Sequence, residues 1–141
     1  MKQNVLLSIR GTQRYADQEP ETIELVTDGT MEFTGGGWDI SYEESAVTGM
    51  EGVTTTFRVE PEKVTLTRRG NLNSQMVFQE GVSHDSLYQM EFGALMLTIQ
   101  ASRVVYDLVS DGGSIDLVYH INIENTEAGE IDYHLDIRAR E

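Results

Sequence analysis

Apolar residues occupy every second position along almost the whole chain. That is the spacing at which a strand turns one face to a core and the other to solvent. No stretch carries convincing helical spacing. Val5, Leu7 and Ile9 open the series, and after the polar stretch Gly11–Pro20 odd parity resumes with Ile23, Leu25, Thr27, Gly29, Met31 and Phe33. Asp28-Gly29 is a turn dipeptide by composition, but a turn there would set Leu25 against Glu32 and Glu24 against Phe33. Unbroken parity instead predicts one long strand over 21–34, kinked at Gly29 and turning at Gly35-Gly36. That register pairs Phe33 with Trp38, Met31 with Ile40, and Gly29 with Tyr42, whose ring would cover the bare glycine backbone.

The same reasoning carries through the chain. A turn at Pro61-Glu62 pairs Val59 with Val64, Phe57 with Leu66 and Thr55 with Arg68. A turn at Gly93-Ala94 pairs Phe92 with Leu95, Met90 with Leu97 and Tyr88 with Ile99. One at Ser102-Arg103 pairs Ile99 with Tyr106 and Leu97 with Leu108. One at Asp111-Gly112 pairs Leu108 with Ile115, Tyr106 with Leu117 and Val104 with Tyr119. A last hairpin turning near Asn125–Gly129 pairs Tyr119 with Leu135, Ile121 with Tyr133 and Ile123 with Ile131. A one-residue slip would reverse the faces of each strand. The pattern predicts an all-β, antiparallel up-and-down meander. Such a sheet would expose two edges and a wide apolar face, and closing it into a barrel of about 8–10 strands removes both. A two-sheet sandwich is the alternative, disfavoured because neighbouring strands dominate the pairing.

Composition agrees with this picture and narrows the function. The 141 residues are read as one domain, 1–141, and 39% hydrophobic content suffices for a core. Cysteine is absent, which excludes disulfide scaffolds, cysteine zinc sites and thiol enzymes. The net charge is -14, so binding to nucleic-acid backbones, which needs Lys and Arg to replace counterions, is not expected. Parity sends most acids outward, among them Glu24, Glu32, Asp39, Asp116, Asp132 and Asp136, as a solubility coat that discourages edge pairing. The N-terminal apolar stretch is too short for a secretory signal and nothing approaches a membrane span. The expectation is a soluble cytoplasmic protein with no membrane contact.

Parity turns ten aromatics inward: Phe33, Phe57, Phe78, Phe92, Trp38, Tyr42, Tyr88, Tyr106, Tyr119 and Tyr133. Five inward tyrosines are many for a packed core, because each buried hydroxyl wants a partner unless its tip reaches water. Arg68 is the sharper anomaly, following Val64 and Leu66 on the inner face. A guanidinium there needs a carboxylate, a carbonyl cluster or a bound anion. It clamps an acidic ligand, or it sits at a wet rim of the barrel, or it forms a structural ion pair, for instance with an acidic residue on a neighbouring strand. His120 falls opposite His134 on the outer face in this register, with Asp132 and Asp136 beside it. Two imidazoles and a carboxylate could hold a divalent metal, but the spacing matches no zinc signature and no metal is expected. Asp116 falls opposite Arg138. Glu43 and Glu44 point to opposite faces and make no catalytic dyad. Contiguous His84-Asp85-Ser86 cannot adopt triad geometry. Gly35-Gly36-Gly37 lies in a hairpin and is no phosphate loop. No catalytic residue and no cofactor is assigned.

TIELVTDGT (22–30), WDISYEES (38–45), VTLTRRGNLNSQMVFQEG (64–81), MLTIQASRVVYDL (96–108) and IDLVYHINIE (115–124) together resemble the YwiB-like family of small bacterial proteins. The resemblance implies a lipocalin-like, calycin-type β-barrel and no activity. Glu60-Pro61-Glu62-Lys63 departs from it, standing where such hairpins more usually carry a glycine. The functional expectation is a barrel that takes a small, partly apolar ligand in its interior, an anionic one if Arg68 anchors it. The candidate ligand-binding residues are Arg68, Thr55, Tyr42, Tyr88, Tyr106 and Tyr119. The competing expectation is a solid-cored interaction module acting through a strand edge or an outer face.

Overall fold

The computed structural model describes residues 2–15, 18–46, 50–90, 93–124 and 126–140. Among them are ten strands and no helix, and hence no helix long and apolar enough to cross a membrane. The strands are β1 (Gln3–Arg14), β2 (Glu21–Thr34), β3 (Gly37–Glu43), β4 (Val53–Glu60), β5 (Lys63–Gly70), β6 (Asn73–Phe78), β7 (Ser83–Met90), β8 (Gly93–Val109), β9 (Gly112–Ile123) and β10 (Thr126–Ala139). Each pairs antiparallel with its sequence neighbours, and β10 returns to β1, so the meander closes into a barrel.

The first half follows the parity reading. Strand β2 runs unbroken through Asp28-Gly29 and turns at Gly35-Gly36, both at positive φ (59° and 81°), as a two-residue hairpin requires. Phe33 pairs with Trp38 and Met31 with Ile40. Val59 pairs with Val64, Phe57 with Leu66 and Thr55 with Arg68 around Pro61-Glu62. The β2–β3 ladder ends at Thr30–Ser41, so Tyr42 does not face Gly29. Gly29 stays bare because Ser41 O and the Leu7 side chain would lie 2.6 and 2.7 Å from any Cβ there.

The second half keeps the predicted faces but not the predicted partners. There is no turn at Ser102-Arg103. Strand β8 continues through it with a bulge between Ala101 and Arg103. A bulge adds one residue to one strand and so switches inward parity from odd to even, the same signature as a two-residue turn. Tyr88 pairs with Leu95 rather than Ile99. Tyr106 pairs with Ile115 and Val104 with Leu117, each two residues from expectation, because the turn is Ser110-Asp111. Gly112 and Gly113 lie in β9, where Cβ atoms would sit 2.2 Å from Ile137 O and 1.9 Å from Asp107 O. Tyr119 pairs with Ile131 and Tyr133 with Leu117, four residues from expectation.

One end of the barrel is solid. Val5, Leu7, Met31, Ile40, Phe57, Val59, Val64, Phe78, Ile99, Ile115, Leu135 and Ile137 fill it and are at most 2% exposed. Burying each such side chain contributes roughly 1.5–3 kcal/mol. Phe33, expected inside, is 55% exposed. It sits one residue from the end of β2, where the inner row runs out of neighbours, and packs edge-on against Trp38 at 4.9 Å. Phe92 lies outside the described residues.

Candidate functional site

The other end is hollow. A half-enclosed cavity of about 380 Å³ opens there, lined by apolar side chains, Ile9, Leu25, Leu66, Leu97, Ile121 and Ile131 among them, and by polar ones. The polar part of the site follows from register. Tyr42 pairs with Thr55, Thr55 with Arg68, Arg68 with Ser74, and Ser74 with Tyr88. Five consecutive strands thus each contribute one inward polar residue to a single cross-strand row, a belt around the barrel wall.

Glu44 completes the cluster. It follows the last residue of β3, its N–H donating to Val53 O at 2.8 Å, which returns its side chain to the Tyr42 face. Its carboxylate is fully buried and accepts the Thr55 hydroxyl at 2.5 Å. Arg68 Nε lies 3.9 Å from Glu44 Oε2, an ion pair beyond hydrogen-bond reach. The Arg68 side chain keeps 15% exposure and contributes to the cavity lining. Arg68 Nε and Ser74 Oγ are enclosed and make no hydrogen bond among the described residues. Of the partners open to Arg68 from sequence, the structure supplies a carboxylate from the chain itself, after β3 and two strands away from β5.

Tyrosine hydroxyls extend the network. Tyr42 donates to Glu44 and accepts from Tyr133. Burial, then the Glu44 charge, pushes the Tyr42 phenol up to about 12. Burial pushes Tyr119 up to about 12 and Tyr133 well above its ordinary value. These phenols stay protonated and act as hydrogen-bond donors at neutral pH. Phe57 packs on Tyr133 and Phe78 on Tyr119, at 5.7 and 4.6 Å between ring centres. The Tyr133 ring lies over Gly11, 3.7 Å from where its Cβ would be. The aromatic cover for a strand glycine expected at Gly29 thus occurs at Gly11.

Of the residues singled out from sequence, Arg68, Tyr42, Tyr88 and Tyr119 line the cavity. Thr55 stands behind it, bonded to Glu44. Tyr106 is not among the lining residues and packs against the core opposite Ile115. Glu44 and Tyr133 belong to the site and were not among the candidates. The signal for Glu44 was its parity with Tyr42, two residues earlier on an inward row.

The outer-face expectations change with the register. His134 faces Asp116 and His120 faces Glu130, so the two imidazoles are not opposed. His134 Nδ1 lies 2.5 Å from Asp116 and Nε2 3.0 Å from Asp136, while His120 Nε2 lies 3.2 Å from Glu130. The hydrogen bond with Asp116 leads the causes that raise the His134 pKa, with Asp136 adding to it. Arg138 pairs with Gly112, not Asp116. No group of three or more such side chains among the described residues is arranged to hold a metal. His84 bonds to Gln79, Asp85 takes the Thr98 hydroxyl and Ser86 donates to Gln75 O, so that tripeptide points three ways.

A family model described as a domain of unknown function, DUF1934, matches residues 7–137. The barrel is similar to the crystal structure of the ywiB protein from Bacillus subtilis, with a TM-score of 0.87 and 21% identity, covering 99% of this chain and 94% of that one. At that identity the likeness speaks for the fold. No curated protein matches the chain.

Proposed function

The chain belongs to the DUF1934 family, a domain of unknown function, and from its cavity we propose that it binds a small, partly apolar ligand in the open end of the barrel. The observation that carries this reading is the half-enclosed space of about 380 Å³ lined by both apolar and polar side chains. That volume falls at the small end of ligand pockets, roughly 300–1,000 Å³. The polar end of the ligand is uncharged rather than anionic. Glu44 already balances Arg68, so a carboxylate would meet as much repulsion as attraction, whereas an alcohol or amide can use the guanidinium and tyrosine hydroxyls. A cytoplasmic site of action is part of the proposal, supported by a chain without cysteine.

Gly11 gives a clean test. It lines the cavity, is not at positive φ, and its Cβ would meet only the Tyr133 ring at an ordinary 3.7 Å. Gly11→Leu therefore fills the space without straining the strand. The neutral fluorescent probe Nile red should brighten with the wild type, be displaced by decanol more readily than by decanoate, and fail with folded Gly11→Leu. No capture by the wild type, or equal capture by both proteins, overturns the proposal.

A further inference from the structure

Strand β8 has 17 residues and its neighbour β7 has eight. Pairing with β7 uses only Gly93–Gln100. Past that point the flank of β8 facing away from β9 first meets the loop after β6. Glu80 bridges Ala101, Gly81 N–H donates to Ala101 O, and the Glu80 carboxylate accepts the Val104 N–H at 3.1 Å. The Val104 N–H thus points away from β9. Strand alternation sends the N–H and C=O of Tyr106 and Leu108 the same way. No strand among the described residues covers them. This is an open antiparallel edge; a second one runs along β2, whose pairing with β3 covers only Thr30–Thr34.

The edge is unusual in its charge. The chain carries -14, yet β8 has one Arg and one Asp, Arg103 and Asp107. By contrast β2 carries Glu21, Glu24, Asp28 and Glu32, so a second copy brought edge to edge there would meet like charges. Arg103, Val105, Asp107 and Val109 all lie on the exposed face of β8, with Val105 43% and Val109 60% exposed. Neither Arg103 nor Asp107 makes an ion pair among the described residues.

We propose that two copies of this chain pair through this edge, β8 against β8, about a two-fold axis at Tyr106. Tyr106 then faces its own copy and exchanges two N–H···O bonds, and Val104, its N–H still held by Glu80, faces Leu108. On the outer face Arg103 lies opposite Val109 and diagonal to Asp107 of the second copy, within reach of a long side chain. The contact is the same on both copies and closes on itself, so it gives a dimer and not a fibre. The two copies repel at long range through their net charge, so association strengthens as salt screens it.

Sedimentation velocity from micromolar to millimolar protein, at low salt and at about 1 M salt where screening falls to about 3 Å, reads the dimer directly. Hydrogen exchange at the Tyr106 and Leu108 amides should slow as concentration rises. Arg103→Asp and Asp107→Arg each place like charges on the diagonal and should weaken the dimer about tenfold, while the double exchange restores it. Both residues are exposed, and circular dichroism checks that the variants fold. A chain that stays monomeric throughout, a dimer indifferent to the single exchanges, or concentration-independent exchange at Tyr106 and Leu108 overturns the proposal.

Discussion

Replacing Glu44 by Gln keeps its shape and one acceptor but removes the charge facing Arg68. The two charges sit 3.9 Å apart, Glu44 fully buried and Arg68 15% exposed. At an effective dielectric of about 20 such a pair attracts by about 4 kcal/mol, most of it offset by the desolvation of both ions. The net worth of the pair is therefore small, but removing one partner leaves the other enclosed without its counter-charge. Glu44→Gln and Arg68→Met should each cost about 3–5 kcal/mol. Glu44→Gln also weakens the charge-assisted bond from Thr55. The double variant should lie within about 2 kcal/mol of the wild type, because an uncharged pair needs no compensation. For a chain of this size each kcal/mol moves Tm by roughly 2–4 °C, so the singles should lose on the order of 10 °C and the double much less. Urea titrations with unchanged slopes give the coupling energy. If the two single costs simply add, to within about 0.5 kcal/mol, the ion-pair argument is wrong.

Three further outcomes follow from the geometry. Because Asp116 raises the His134 pKa in the folded state, His134 stabilises the protein fully below about pH 6.5 and loses that contribution as pH rises through its folded value. His134→Gln should flatten that part of the stability–pH curve, and an unchanged curve would count against the Asp116 contact. Burial pushes Tyr42 and Tyr119 up to about 12 and Tyr133 well above its ordinary value, so their contribution is intact below about pH 10 and fades as pH rises through the folded values. Absorbance at the phenolate band should show these three ionising last, and simultaneous ionisation of all six tyrosines in folded protein would refute it. Gly113→Ala places a Cβ 1.9 Å from Asp107 O at a φ of 143° and should cost at least about 2 kcal/mol by chemical denaturation. A neutral result would mean the β8–β9 hairpin adapts freely.

Period-two alternation determined, by itself, which face of nearly every strand points inward, and with it the antiparallel barrel. It did so because burying one face is a local demand that each residue answers through its own polarity. Partners are another matter. Sliding one strand by two or four residues leaves every face where it was, so alternation could not separate Tyr88–Ile99 from Tyr88–Leu95, or His120–His134 from His134–Asp116. The parity switch near Ser102 fitted a turn and a bulge equally. Only the length of β9 alongside β8, and backbone approach at Gly112 and Gly113 too close for any Cβ, settled the registers of β9 with its two neighbours. The site divides the same way. Arg68 was legible as a cation on an inward row. Its carboxylate lies 24 positions away, beyond the end of β3, and what binds them into one site is the cross-strand row Tyr42–Thr55–Arg68–Ser74–Tyr88. Such a row exists only once five strands are in register, and whether a core is solid or hollow depends on how side chains from all ten strands share one interior.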